Sequence, residues 1–195
     1  MIETNPHLRP AQVGDICLLI EPDPQTNIAP LRSYQASLHT RFGGCPTRHV
    51  HLTCQRFCGG KESRLDQSLS AIEQLSSLLM PLPLNAVALH TLPVPILQTT
   101  TLKWQIDVTS ELLAFNEAVE DALRRADFIP QYAPGFTSNL VTALQDIADD
   151  LQDDGLADPQ LPYHLFDAQK VVVSQICGPG KFKILAKIDT CCAPV

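Results

Sequence analysis

The sequence predicts an α+β fold that is built from two similar halves within one bilobal domain, residues 1–195. Some segments alternate apolar and polar residues, as strands do, and others repeat apolar residues every three or four positions, as helices do. The order of these segments in residues 101–190 roughly repeats the order in residues 10–100. A duplication of this kind predicts two equivalent strands that face each other across a cleft.

The composition is that of an ordinary globular protein. The chain has 195 residues, 45% of them hydrophobic, which is enough for a core. No apolar segment approaches the roughly 20 residues that span a bilayer, and the N-terminus does not resemble a secretory signal, so we expect a cytoplasmic location and no membrane partner. The net charge of −7 argues against a general nucleic-acid-binding surface. A monomer without a cofactor is expected.

The seven cysteines do not have the spacing of a zinc site, because no Cys-x-x-Cys pairs occur. We therefore interpret them as reduced and structural, and we predict no metal site. Cys45, Cys54 and Cys58 lie near a histidine-containing segment, which leaves a metal ion there as an alternative.

The first two elements are a strand and a helix. Asp15–Glu21 is a short apolar segment that precedes Pro22, as a buried strand does before a turn. Apolar residues then recur at helical spacing from Ile28 to Phe42, and the glycines at 43 and 44 favour the left-handed conformation that ends many helices. We predict a strand at 15–21 and a helix at 28–42.

The next element, His49–Phe57, is predicted to be a strand with one polar face, because successive strand side chains point to opposite sides. The polar face carries His49, His51, Thr53 and Gln55. The other face is apolar up to Arg56, which is predicted to reach solvent. An imidazole beside a hydroxyl can hold a phosphodiester. The alternative is that these histidines are structural, with neighbours and water as their partners.

Five further elements follow along the chain, from the end of the first half into the second. Residues 65–79 form an amphipathic helix that ends at the prolines 81 and 83, and residues 85–91 and 101–109 form two strands. Ser110 is predicted to cap a helix that reaches Ala126, with an apolar stripe on one side. Residues 128–137 contain two prolines and a glycine, so only a short or irregular strand is predicted there.

The chain is predicted to end with a helix and a hairpin. Ser138 can cap a helix whose buried face carries Leu140, Leu144, Ile147 and Leu151. Residues 170–177 and 182–188 are two strands that Gly178-Pro179-Gly180 joins. In the duplicated halves, the strands at 49–57 and 132–137 are equivalent.

In this order of elements and in one motif, the chain resembles the two-histidine (2H) phosphoesterase superfamily, which includes the 2'-5' RNA ligase-like and cyclic phosphodiesterase proteins. The motif is His51-Leu52-Thr53, which is similar to the family's first His-x-Thr. The resemblance covers nearly the whole chain. It implies two pseudo-symmetric lobes of antiparallel sheet with outer helices around a central cleft. It also implies action on a cyclic phosphodiester, such as a nucleoside 2',3'-cyclic phosphate or an RNA end.

The family's second motif commonly reads Pro-His-x-Thr, and Pro134-Gly135-Phe136-Thr137 occupies the corresponding place, so Gly135 stands where the second histidine is expected. In the family one histidine is the general base, the other is the general acid, and the hydroxyls bind phosphoryl oxygens. Without the acid, we expect a rate that is lower by about 10² to 10⁴, or no turnover. The implied site residues are His51 and Thr53 for catalysis, and Thr53 and Thr137 for phosphate binding. Arg48 and Arg56 are nearby arginines that are also expected to bind phosphate.

Three residues are candidates for the vacant proton-transfer role. His49 shares a strand face with His51 at a Cα separation of about 6 to 7 Å, although both imidazoles would then lie on the same side of the phosphate. Tyr132 and His164 are further candidates that the sequence does not place in the cleft.

Three functions therefore remain open from the sequence. The chain is an enzyme that acts on a cyclic phosphodiester, a non-catalytic protein of the same fold that binds a nucleotide or a phosphorylated metabolite, or a scaffold without a site. An assay with cyclic nucleotides would distinguish the three. Turnover would indicate the enzyme, binding without turnover would indicate the binding protein, and the absence of both would indicate the scaffold.

Overall fold

The computed structural model describes residues 9–22, 27–58, 69–70, 72–73, 82–94, 99–133, 135–148, 151, 156–178 and 181–189. Within these residues the long helices are α1 (Ala29–Phe42) and α2 (Ser110–Arg125). The strands are β1 (Ile16–Pro22), β2 (Cys45–Pro46), β3 (Leu52–Cys58), β4 (Leu82–Val94), β5 (Thr99–Ile106), β6 (Ile129–Pro130), β7 (Leu140–Ile147), β8 (Tyr163–Gly178) and β9 (Lys181–Asp189).

The strands form one antiparallel sheet that closes on itself. Its order is β2-β7-β5-β4-β8-β1-β3-β6, and β9 pairs with β8. An additional pairing between β7 and β3, each the last strand but one at its end of the order, closes the sheet through Leu52 and Val141, and we call this pairing the seam. The long strand β8 pairs with β4 through its first residues and with β1 through its later residues. The predicted α+β class with antiparallel sheet is confirmed.

One hydrophobic core lies between this sheet and the helices. Leu31 and Tyr34 of α1 and Phe115 of α2 belong to it, together with Leu18 of β1 and Trp104 of β5. Sheet residues in this core face the helices. Their strand neighbours, at alternate positions, therefore face the opposite side of the sheet.

Several predicted elements are confirmed with small changes of boundary. They are the strand at 15–21, the helix at 28–42, the strands at 85–91 and 101–109, the helix at 110–126 and the terminal hairpin, whose first strand begins earlier, at Tyr163. The cap of α2 is Thr109 rather than Ser110, because the Thr109 hydroxyl accepts a hydrogen bond from Leu112 N at 3.3 Å.

The prediction of a helix at 138–151 is wrong, because residues 140–147 form the strand β7. The spacing of Leu140, Leu144 and Ile147 resembles that of a helix, and a strand can contain it because the pairing of β7 is irregular. Ile147 pairs with Thr100, Leu144 with Leu102 and Thr142 with Lys103, so β7 advances one residue more than β5 at each of two steps. These extra residues are β-bulges, and they break the two-residue period of a strand.

Two other predictions are revised. The strand at 49–57 begins at Leu52, and residues 48 and 49 form a bend. In the segment 132–137 the described residues, 132–133 and 135–137, contain only an isolated bridge at Tyr132 and no strand. Of the helix predicted at 65–79, residues 69, 70, 72 and 73 are described and helical, and the rest lies outside the described residues. Across the described part of the chain, no helix is long and apolar enough to cross a membrane.

Candidate active site

His51 lies immediately before β3 and has a defined ring orientation. Its Nδ1 is 3.0 Å from the carbonyl oxygen of His49. A carbonyl oxygen can only accept a hydrogen bond, so Nδ1 of His51 must carry the proton. In the neutral ring the lone pair is then on Nε2, which is the atom that can act as a general base.

The surroundings of His51 favour its neutral form. Burial lowers the pKa of His51 below its ordinary value, and electrostatic interactions with Lys103 and His49 lower it further, against the hydrogen bond to the His49 carbonyl. A lowered pKa means that the imidazole is unprotonated at neutral pH. His51 is therefore ready to accept a proton there.

Helix α1 holds the segment that leads to His51. Arg32 donates hydrogen bonds to the carbonyl oxygens of Thr47 and Arg48, at 2.7 and 2.6 Å. Gln35, which is buried, donates to the carbonyl oxygens of Thr47 and Ala143, at 3.0 and 2.7 Å. Since Ala143 belongs to β7, Gln35 links the segment before β3 to the strand on the other side of the seam.

Replacement of Gln35 by methionine tests this link. Methionine has a similar length but cannot donate, so we expect a loss of about 1 to 3 kcal/mol in the free energy of unfolding, measured by chemical denaturation. Ser33→Ala, at an exposed position on the same helix, is the control. Equal stability of the two variants would show that the Gln35 hydrogen bonds are not needed.

The seam between β3 and β7 brings a second hydroxyl beside His51. Leu52 pairs with Val141 in antiparallel fashion. The direction of this pairing places His51 next to Thr142, and Thr53 next to Leu140. The triplet Leu140-Val141-Thr142 is thus the counterpart of His51-Leu52-Thr53 across the seam.

Beyond Thr142, the same side of the sheet continues with polar side chains, which we call the polar row: Thr142 on β7, Lys103 and Gln105 on β5, and His90 on β4. Lys103 pairs with both Thr142 and His90. Its Nζ donates to Thr142 Oγ1 at 2.8 Å, and His90 Nε2 lies 2.5 Å from Gln105 Oε1. Burial lowers the pKa of Lys103 to about 8.

Thr53 also lies on the side of the sheet that faces away from the helices. It pairs with Leu19 of β1, which belongs to a small apolar cluster with Cys17, Val172 and Ile176. Residues that lie directly opposite each other in a sheet share a face. The side chain of Thr53 therefore stands between this apolar cluster and the seam.

The predicted exposure of Arg56 is wrong, since only 4% of its surface is exposed. In β3 Cys54 has no counterpart on β1, because Leu18 pairs with Gln55 and Leu19 with Thr53. This bulge ends the regular alternation of buried and exposed side chains in β3, and residues 55–57 after it are all buried. The Arg56 guanidinium lies 3.8 Å from the Asp15 carboxylate and donates to the carbonyl oxygen of Arg9.

The other predicted site residues lie in loops. Arg48 and His49 are exposed in the bend before β3, and the backbone carbonyl of His49 is the hydrogen-bond partner of His51 Nδ1. Thr137 is partly buried between Gly135 and β7. Gly135 has a φ of 75° and lies in a turn in which Phe136 N donates to Ala133 O at 3.0 Å. This conformation gives a backbone reason for a glycine.

Two further candidates for proton transfer have other surroundings. Tyr132 is buried, and that burial raises the pKa of its phenol above the usual range. His164 is exposed, with Nδ1 3.1 Å from Asn85 Oδ1 and Nε2 3.5 Å from Asp167. In the portion of the chain that the structure describes, no group of three or more His, Cys, Asp or Glu side chains is arranged to hold a metal ion.

Sequence reasoning missed Lys103, Thr142, His90 and Gln105. The alternation of Lys103 and Gln105 with apolar residues in β5 was a visible signal, but only strand pairing shows that this polar side meets His51. Thr142 was hidden inside the predicted helix.

Solved structures resemble this fold over nearly its full length. E. coli LigT in the apo form has a TM-score of 0.57 at 11% identity, covering 92% of this chain and 98% of that chain. LigT complexed with 3'-AMP has a TM-score of 0.54 at 12% identity, with the same coverage. TT0787 of Thermus thermophilus has a TM-score of 0.57 at 15% identity, covering 90% of this chain and 97% of that chain.

No family model and no curated protein matches the chain. At 11–15% identity the structural likeness concerns the fold and not the activity. These neighbours agree with the resemblance that His51-Leu52-Thr53 suggested. The chain therefore has a LigT-like fold.

Proposed function

We propose that this protein is a phosphoesterase that acts on a cyclic phosphodiester, a nucleoside 2',3'-cyclic phosphate or the cyclic end of an RNA. The observation that carries this proposal is the seam between β3 and β7, where the Leu52–Val141 pair places His51 beside Thr142 and Thr53 beside Leu140. A base beside two hydroxyls matches what phosphodiester hydrolysis requires of a protein. The nucleotide 3'-AMP in a LigT complex supports a ligand of this class.

In this proposal, His51 Nε2 takes a proton from the attacking water, and Thr53 and Thr142 bind phosphoryl oxygens. The register supports Leu140-Val141-Thr142 as the second motif, with Leu140 in place of the second histidine. Gly135 and Thr137 are the competing assignment from the sequence. Both assignments lack the second imidazole, so we expect slow turnover, lower by about 10² to 10⁴ than with two imidazoles.

Arg48 and His49 are proposed as peripheral contacts for the substrate, since both are exposed beside His51. Arg56 is a weaker candidate for phosphate binding because its charge already faces Asp15.

The test is hydrolysis of 2',3'-cyclic nucleotides and of 2'-5'-linked dinucleotides, with calorimetry on the same compounds. Product formation supports the enzyme. Binding without product would instead indicate the non-catalytic protein, and neither binding nor product would contradict the proposal.

Two threonine variants distinguish the two assignments of the second motif. Thr142→Val keeps the side-chain shape and removes the hydroxyl, so we expect it to raise KM or lower kcat by about tenfold, the value of one hydrogen bond to a charged group. Thr137→Val is expected to change neither by more than about twofold, within the spread of surface substitutions. The reverse result would favour Thr137 as the phosphate-binding residue.

A further inference from the structure

Hydrolysis at this site needs a proton donor that a second histidine would otherwise supply. When water attacks the phosphorus, one ring P–O bond breaks and the leaving oxygen must gain a proton. For an in-line displacement the donor and the base lie on opposite sides of the phosphorus. Leu140 and Gly135, the two residues that stand for the second histidine, have no transferable proton.

The polar row contains one group in a suitable position. Thr142 lies between His51 on one neighbouring strand and Lys103 on the other. Adjacent strands are about 4.8 Å apart, so His51 and Lys103 flank the Thr142 hydroxyl at a separation of about 10 Å between their backbones. A phosphoryl group held by Thr142 would have the imidazole on one side and the ammonium on the other.

Lys103 also has no charged partner among the residues that the structure describes. Its Nζ donates to the neutral Thr142 hydroxyl, and no carboxylate of the described residues forms an ion pair with it. Burial of a cation is unfavourable unless an anion is close. An ammonium group in this state is suited to an anionic ligand, and a phosphodiester would supply the missing charge.

We propose that Lys103 is the proton donor of the reaction. His51 Nε2 removes a proton from the attacking water as its oxygen bonds to phosphorus, one ring P–O bond breaks, and the released oxygen takes a proton from Lys103 Nζ. The product is a phosphomonoester with a free hydroxyl. Lys103 then regains a proton from solvent and His51 releases one, so protons balance. This inference rests on the proposed function.

The groups that face Lys103 define the expected pH dependence. They are the titratable His90 on β4 and His51 before β3, and the neutral Thr142 and Gln105. His49 is a further titratable group that interacts electrostatically with His51. The base must be neutral and the donor protonated. Activity should therefore rise with pH through the lowered pKa of His51 and fall as Lys103 loses its proton, near pH 8.

The experiment measures kcat and kcat/KM for a 2',3'-cyclic nucleotide across this pH range. Lys103→Arg keeps the charge but cannot release a proton at these pH values, because the guanidinium pKa is above about 12. We expect it to lower kcat by about 10² to 10⁴, to keep KM within a few-fold and to lose the alkaline limb. Lys183→Arg, an exposed lysine on β9, should match the wild type.

Lys103→Met is the second variant, because it keeps the apolar stem and removes the buried charge, so folding is retained; circular dichroism verifies this. It is expected to lose turnover by the same factor and also to bind the substrate more weakly. Wild-type kcat in either Lys103 variant overturns the inference while the proposed function stands. Loss of the alkaline limb in His90→Gln, with Lys103 variants unaffected, overturns it as well. A wild-type protein without turnover overturns both.

Discussion

Replacement of His51 by asparagine is expected to lower kcat for a 2',3'-cyclic nucleotide by about 10² to 10⁴. The asparagine amide can donate to the His49 carbonyl as His51 Nδ1 does, at 3.0 Å in the wild type. It has no counterpart of Nε2, so the variant removes the proposed base and keeps the local hydrogen bond. The measurement is initial-rate kinetics on protein whose folding is verified by thermal unfolding.

His49→Asn is the informative comparison. The sequence hypothesis that His49 replaces the second histidine requires a loss as large as that of His51→Asn. The exposed position of His49 in a bend leads us to expect a change of a few-fold only. Equal losses in both variants would return the proton-transfer role to His49, and unchanged kcat in His51→Asn would contradict the proposed base.

The sequence was a good guide where local pattern and tertiary pairing agree. The helix from Ile28 to Phe42 has an apolar stripe and glycines after it, and the structure has α1 at Ala29–Phe42. The hairpin of β8 and β9 is similar, because the turn residues of its sequence separate two strands that pair from Gly178 and Lys181 onward. In both elements the residues that set the boundaries are neighbours in the chain.

The pattern failed where distant strands determine the local structure. In β7 the residues Ala143 and Leu144 are both fully buried, because the bulge between Leu144 and Thr142 changes the side on which residues lie. Their spacing from Ile147 then matches a helix as well as an irregular strand. Pairing with β5 and β2 decides between the two, and no local signal contains that pairing.

The same limit applies to the site. His51 and Thr53 could be found because they are close in the chain and form a motif. Lys103 and Thr142 come from two other strands, and only the closing seam at Leu52 and Val141 brings them beside His51. When a site is assembled from several strands, the sequence of one strand predicts only the residues that this strand contributes.

Replacement of Asp15 by asparagine is expected to reduce the free energy of unfolding by about 3 to 5 kcal/mol, because it leaves a buried charge without its partner. Asp15 is 2% exposed and Arg56 is 4% exposed. The Asp15 carboxylate accepts hydrogen bonds from Arg9 at 2.6 and 3.0 Å and from Gln12 N at 3.0 Å, and lies 3.8 Å from Arg56. The measurement is chemical denaturation followed by circular dichroism.

A double variant separates the charge from the packing. Asp15→Leu with Arg56→Met removes both buried charges and fills similar volumes, so it should recover most of the stability that Asp15→Asn loses, since apolar replacements of buried ion pairs are often neutral. Arg9, whose side chain is 27% exposed, can be solvated once its partner is gone. If the double variant is as unstable as the single one, the hydrogen bonds of Asp15, and not the buried charge of Arg56, account for the loss.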